Sequence, residues 1–356
     1  MARVRSSLAR AASLARAASL ARAASPAPAA SPAPAAGSAK GDEGVRFGAL
    51  PTEAVHPEAA HLDEMPAEKV VALMLAEEGR AARAAASRAA VIGRAAELVA
   101  AKLAAGGRLV YVGAGTSGRL GTLDAVECVP TFGVPPSRVV PIIAGGPSAL
   151  TRSVEGAEDS AREAEQRLRR AAVGPTDAVC CVAASGVTPF ALAALDYARF
   201  RRAATIFLTC GRVPARDDDA PLADVVIALE TGPEVIAGST RLKAGTATKM
   251  VLNAISTTAF VLLGKTYAGL MVDVRPTNAK LWARAVRIVR ALTGLPEPAA
   301  RKLIEKAGGR AKVAIVMHHT RVTAARAREL LVTHKGSLRA IIGDVPLLPM
   351  SADEED

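Results

Sequence analysis

The residues best equipped for chemistry are glycines and hydroxyls at two strand-to-helix junctions. In GGRLVYVGAGTSGRLGTLDAVE (106–127) an apolar run empties into Gly113, Ala114, Gly115, Thr116, Ser117 and Gly118, and a helical pattern follows. Glycines let the chain turn tightly and bring backbone close to a ligand, while the first helical turn offers unpaired N–H groups and the positive end of its dipole. Phosphate suits this arrangement, with the Thr116 and Ser117 hydroxyls as further donors. A second junction, CCVAASGVTPF, repeats the plan with Ser185, Gly186 and Thr188. Either loop alone is equally well explained as a helix N-cap. Two of them at like ends of parallel strands point to one phosphorylated ligand at a shared rim.

GAGTSG also fits the GxGxxG spacing of dinucleotide sites, where an acidic residue closes the second strand and holds a ribose. Here that strand ends VVPIIAGG, with Ala144, Gly145 and Gly146 instead, so a dinucleotide loses its main support. A third polar cluster, Ser239, Thr240, Arg241 and Lys243 in GSTRLKAG, lies at a helix start. Lys243 is either a substrate contact, within its own chain or across a dimer interface, or a capping or salt-bridge residue. His318 and His319 are adjacent, which suits no shared metal face on a helix. Cys128, Cys180, Cys181 and Cys210 lack metal-ligand spacing; three of them sit in apolar runs, where a small buried thiol is the ordinary reading, and a reducing cytoplasm is implied.

The elements that must position these residues follow from hydrophobic patterning. Strands are expected over 108–113, 139–144, 178–183, 205–209 and 224–229, with helices between most of them, which implies a parallel sheet covered on both faces with ligands outside its carboxyl edge. Residues 65–105 read as two or more Ala-rich helices. After the last strand comes a long apolar helix that must be buried against the sheet or a second subunit. Another helix spans 282–292, and short helices punctuated by Gly308, Gly309 and Gly336 follow.

The 356 residues are 50% apolar, 22% charged and only 3% aromatic, so the core is aliphatic. No apolar stretch is long enough for a membrane span. The net charge of +11 raises nucleic-acid binding, but Arg3, Arg5, Arg10, Arg16, Arg22 and Lys40 against Asp42 and Glu43 place +4 of it in the first 44 residues. With few aromatics for base stacking, no nucleic-acid partner is expected. Those residues repeat SLARAA three times from Ser7 and SPAPAA twice from Ser25. Such a tail cannot build a core; it is expected to be disordered and dispensable, with an organelle transit peptide as the alternative.

The blocks GAGTSGRLGTLDAVECVPTFG, SVEGAEDS, AASGVTPF, GSTRLKAGTATK and GLMVDVRPTNAKLWAR together resemble the N-acetylmuramic acid 6-phosphate etherases, bacterial members of the sugar isomerase (SIS) fold group, over roughly 51–343. The resemblance implies an α/β fold, an SIS-type three-layer sandwich with a five-stranded parallel sheet. Its organisation would be a low-complexity tail (1–44), an N-terminal helical region (45–98), the SIS sugar-phosphate domain with following long helices (99–290), a small C-terminal helical domain (291–345) and an acidic tail (346–356). It also implies a cytoplasmic homodimeric lyase of cell-wall recycling, without metal or organic cofactor, that cleaves the sugar–lactate ether and leaves N-acetylglucosamine 6-phosphate.

Non-hydrolytic ether cleavage starts from the ring-opened aldehyde, whose carbonyl acidifies the proton at carbon 2. A base removes it, lactate leaves carbon 3 with help from an acid, and water adds to the unsaturated aldehyde. Two carboxyls suffice. By the resemblance, Glu127 in DAVECVPT protonates departing lactate and then helps water add, and Glu158 in SVEGAEDS abstracts the carbon 2 proton. Glu127, next to Val126, Cys128 and Val129, is expected to be buried enough to hold a proton near neutral pH. The plainer alternatives are a surface carboxylate for Glu127 and, for Glu158 among Glu155 and Asp159, stabilisation of the next helix through its dipole. The substrate would be held by Gly115, Thr116, Ser117, Gly118, Ser185, Gly186, Thr188, Ser239 and Lys243. Departures from the family pattern are His56 for asparagine, Val129 for proline, Val187 for an arginine in the second loop, and Gly269 for asparagine. The missing arginine bears on affinity more than on reaction type. The rivals are a non-catalytic sugar-phosphate sensor on the same fold and an aldose–ketose phosphosugar isomerase, which needs no leaving-group acid.

Overall fold

Short runs rich in Val, Ile, Ala and Cys, apolar on both faces, can only be interior strands of a covered sheet. The computed structural model, which describes residues 48, 50–214 and 221–348, contains that sheet. β1 (Leu109–Gly113), β2 (Val139–Ile143), β3 (Ala178–Val182), β4 (Ala204–Thr209) and β5 (Val225–Ala228) pair in the order β2-β1-β3-β4-β5, all parallel. The three central strands are buried throughout, while the edge strands β2 and β5 are half-covered. The five strands expected from the sequence are therefore all present, within a residue or two of their expected ends.

Period-two alternation sends each strand's side chains to two cores. Leu109 and Tyr111 point into one, and Val110 and Val112 into the other. The first core lies against α1 (Ala67–Ser87), α2 (Ala89–Ala104), α3 (Gly115–Phe132) and, further along the chain, α6 (Lys243–Leu262). The second lies against α4 (Ala161–Arg170) and α5 (Pro189–Phe200). The long apolar helix is thus α6, buried through Ala247, Val251, Ile255 and Phe260 against the first core. A third core gathers α7 (Ala279–Thr293), α8 (Glu297–Lys306), α9 (Ala311–Thr320), α10 (Ala324–Thr333) and α11 (Leu338–Ile342). Among the described residues no helix is long and apolar enough to cross a membrane. The 1–44 repeats and the SADEED end lie outside the described residues.

Two polar nodes fix the sheet relative to its helices. At the amino ends of β1 and β3, Arg108 clamps Asp177 through Nε to Oδ1 (2.9 Å) and Nη2 to Oδ2 (2.7 Å), and the Gly174 N–H adds a third donor (3.1 Å). Behind β1, the buried Asp124 carboxylate accepts from the Tyr111 hydroxyl (2.8 Å) and the Ser256 hydroxyl (3.0 Å), joining β1, α3 and α6. Burial pushes the Asp124 carboxyl up, with its hydrogen bonds pulling the other way.

Burial alone would also raise the Asp177 carboxyl, but the Arg108 and Gly174 donors outweigh it and hold it below the usual range. A lowered folded-state pKa gives stability that is present above the unfolded value and lost as pH falls through the folded one. Asp177→Asn should therefore destabilise the protein by about 2 kcal/mol near pH 7. In denaturant unfolding the gap to wild type should narrow as pH drops below about 4. An equal gap at both pH values would mean that the clamp acts by shape rather than charge.

Candidate active site

The β1–α3 junction is shaped by two glycines with different tasks. Gly115 takes φ +51°, and open space surrounds the position a Cβ would occupy, so backbone is exposed to the site. Gly118 is buried: an added Cβ would lie 2.6 Å from both the Gly113 carbonyl oxygen and Ile143 Cγ1. Gly118 was expected among the ligand contacts, but its environment is one of packing, pressing α3 onto β1 and β2. Ala114 caps α3 in an extended conformation with no side-chain hydrogen bond, so the first-turn N–H groups have no side-chain cap.

The β3–α5 junction repeats this chemistry. Gly186 takes φ +88°, where a Cβ would sit 2.1 Å from the Arg212 carbonyl oxygen. Thr188 caps α5 without a side-chain hydrogen bond. In-register pairing sets Gly113 opposite Val182, so both helices begin at one level on the sheet's carboxyl edge. Two uncapped, positively polarised helix starts there favour an anion.

Between them lies a cavity of about 370 Å³, lined by Gly115, Thr116, Ser117 and Arg119 from the first junction and by Ser185, Val187 and Thr188 from the second. Glu158 and Asp159 join it from the turn Ala157–Asp159. Ser160 accepts from the Glu163 N–H (3.2 Å) and so caps α4 itself. The two acids therefore precede that helix rather than occupying its first turn, which weakens the dipole explanation for Glu158. Gly238 and Thr240 complete the lining, whereas Ser239 does not reach it.

One cavity residue gave no signal in the sequence. Glu53 lies on the segment 50–53, which is pinned where the Thr52 carbonyl accepts from the Gly238 N–H (2.9 Å). Its Oε2 lies 2.8 Å from where a Gly238 Cβ would stand, and Gly238 takes φ +74°, a conformation that favours glycine. Only contact with a loop about half the chain away in sequence brings this carboxylate into the site.

Two expected site residues lie elsewhere in the chain. The Lys243 side chain is buried and ion-paired with Glu77, which also meets Arg80 (3.1 Å) and His56 (3.3 Å). Burial alone would raise the Glu77 carboxyl, but these neighbours, Lys243 foremost, hold it below its usual range. The Lys243 and Ala244 N–H groups donate to the Glu234 carboxylate (3.2 and 2.9 Å), a side-chain cap for α6. Of the two roles left open for Lys243, the structure shows the ion pair and the capped helix start. Glu127 is exposed on α3, twelve residues beyond Gly115 and outside the cavity lining. The apolar surround expected for it is half absent, because Cys128 is buried but Val126 is 60% exposed.

The adjacent histidines and the cysteines lie outside the cavity lining. His319 Nε2 lies 2.7 Å from the Leu292 carbonyl oxygen, and burial lowers the His318 pKa. Burial pushes the Cys128 and Cys180 thiols up to about 12, far from nucleophilic use near neutrality. No His, Cys, Asp and Glu cluster among the described residues could hold a metal ion.

Lys243→Met leaves Glu77 buried with its closest cation removed, and should cost about 3 kcal/mol in urea unfolding, much of it recovered by adding Glu77→Leu. Unchanged stability with weakened ligand binding would instead put the ammonium in the site.

Residues 90–199 match the family described as the glucokinase regulatory protein N-terminal SIS domain, a span that includes both junctions and Glu158. Full-length relatives are closer. The N-acetylmuramic acid 6-phosphate etherase of Rubrobacter xylanophilus is 52% identical over 301 residues, covering 84% of this chain and 98% of its own. Those of Gloeothece citriformis and Deinococcus radiodurans are 46% and 44% identical, covering 84% and 85% of this chain and 97% and 98% of theirs.

Proposed function

The chain belongs to the N-acetylmuramic acid 6-phosphate etherase family, and from that membership we propose that it is a carbon–oxygen lyase of cell-wall amino-sugar recycling. It cleaves the D-lactyl ether of N-acetylmuramic acid 6-phosphate to N-acetylglucosamine 6-phosphate and D-lactate, working in the cytoplasm. The observation that carries this reading is the meeting, in one cavity, of two uncapped helix starts and the Glu158 carboxylate. The helix starts and the hydroxyls of Thr116, Ser117, Ser185 and Thr188 take the phosphate, and the sugar chain then extends past Glu158.

The reaction runs on the open-chain aldehyde. Glu158 takes the proton from carbon 2, and that electron pair forms the carbon 2–carbon 3 double bond as the bond from carbon 3 to the lactyl oxygen breaks. A second carboxyl, Glu127, gives its proton to the departing oxygen. The resulting carboxylate then takes a proton from water as hydroxide adds to carbon 3, and carbon 2 regains a proton from Glu158 after that carboxyl has exchanged its proton with solvent. Val187 in place of a cationic side chain leaves phosphate binding to neutral donors, the helix dipoles and the Arg119 guanidinium, which also lines the cavity. The regulatory protein in the matched family description raises a sensor as the second reading; Glu158 in the cavity favours turnover.

Incubation with N-acetylmuramic acid 6-phosphate in doubly labelled water should release lactate and leave solvent oxygen at carbon 3 and solvent hydrogen at carbon 2. Lactate without label at carbon 3 would sink the elimination and addition sequence, and tight binding without lactate would favour the sensor. Glu158→Gln should slow release by about a hundred-fold or more, the scale of a positioned general base; near-normal turnover would remove it from the mechanism.

A further inference from the structure

A second cavity, of about 220 Å³, lies at the amino edge of the sheet, where Arg138 leads into β2. α3 lines the catalytic cavity with its first residue, Gly115, and reaches this one with its C-cap, Gly133, about 27 Å on at the 1.5 Å rise of an α-helix. No residue lines both. Five side chains of the second cavity are cations, Arg138, Lys265, Arg275, Arg310 and Lys312, and a single one, Asp273, is an acid. The 273–275 segment is seated against α3 at Gly133, which takes φ +64° and where an added Cβ would lie 2.2 Å from the Asp273 carbonyl oxygen and 3.6 Å from Arg275 Cγ.

These charges do not balance within the protein. Lys312 (2.9 Å) and Lys265 (3.3 Å) divide the one carboxylate of Asp273 between them. Lys312 is buried, and it also donates to the Gly264 carbonyl oxygen (2.6 Å) at the end of α6. Burial lowers its pKa against the pull of Asp273, and the nearby Lys265 and Arg310 push the same way. Arg138 donates to the carbonyl oxygens of Gly106 and Leu103, which carry no full charge. Arg275 and Arg310 have no ion pair among the described residues. The backbone adds to the excess, because α9 starts here: Arg310 caps it in an extended conformation without a side-chain hydrogen bond, and Ala311 and Lys312 of its first turn are buried. Partly buried charge of one sign is unfavourable until a counter-ion shares the space.

The lining also selects the ligand. Donors face the cavity from several elements, while its one carboxylate is already taken twice, so a sugar, whose hydroxyls need acceptors, is poorly matched. A compact anion with acceptor oxygens on every side is well matched. We propose that this cavity is a second anion site, separate from the catalytic one, which takes a small inorganic phosphate anion, orthophosphate or pyrophosphate, and by bridging Arg138 and Arg275 to Arg310 fastens the C-terminal helices to the sheet.

The test is calorimetry on the full chain at constant ionic strength, with the catalytic cavity saturated by N-acetylglucosamine 6-phosphate and with orthophosphate and pyrophosphate as separate titrants. At least one of them should bind at a single site per chain, and the tighter of the two identifies the occupant. Arg275→Ala combined with Arg310→Ala changes two exposed residues, so the fold should survive. The double variant should bind that anion about a hundred-fold more weakly, at roughly ten-fold for each charge-assisted hydrogen bond lost. Its heat with N-acetylglucosamine 6-phosphate should match that of wild type. The anion should also raise the melting temperature of wild type and not that of the variant. No heat from either anion, or equal heat in wild type and variant, overturns the proposal. Failure of N-acetylglucosamine 6-phosphate itself to bind would count against the lyase reading instead, and the same two titrations of wild type and double variant without it would still judge this cavity.

Discussion

Two helices that begin side by side without side-chain caps make the constraint on which the site depends. α3 and α5 each start at the carboxyl edge of the sheet, so their positive ends converge where β1 and β3 run out together. Such a convergence is unfavourable until an anion occupies it. Much nearby sequence serves this geometry. Gly118 lets α3 approach β1 at backbone distance, Gly186 turns the second loop where any side chain would strike Arg212, and the Asp177–Arg108 clamp keeps β1 and β3 in step from their far ends.

The wall of the cavity is held by a different kind of interaction. Segment 50–53 and the 238–240 loop are joined by a backbone hydrogen bond, and beneath them the buried Glu77–Lys243 ion pair is met by the buried His56 ring and the more exposed Arg80. Glu77 ties the N-terminal segment and α1 to the start of α6, and Glu234 caps that start. The cluster sets where Glu53 and Thr240 stand at the rim without itself lining the cavity. A rigid floor of strands and a wall locked by buried charge leave the hydroxyls and carboxylates between them to meet the ligand.

What the sequence disclosed and what it concealed follow from the range of the forces involved. Strands covered on both faces write themselves as unbroken apolar runs, and glycine-rich loops after them mark anion sites, so the sheet, both junctions and the rim position of Glu158 were legible. Partnerships across long separations were not. Lys243 resembles a ligand contact until Glu77, 166 residues away, is seen to meet it, and nothing local marks Asp124 for Ser256 or brings Glu53 to the rim. Glu127 was misjudged for another reason. Successive residues on a helix point about 100° apart, so apolar neighbours in sequence need not surround a side chain in space. Val126 and Glu127 face outward together while Cys128 turns inward.

The division of labour is therefore between fixed dipoles that hold the phosphate and carboxylates that work on the ether beyond it. Calorimetry comparing N-acetylglucosamine 6-phosphate with N-acetylglucosamine tests the first half, on which the second relies. The phosphorylated sugar should bind with a site of one per chain, and the free sugar should show no measurable heat. Equal affinity for the two would contradict the anion-holding role of the paired helix starts.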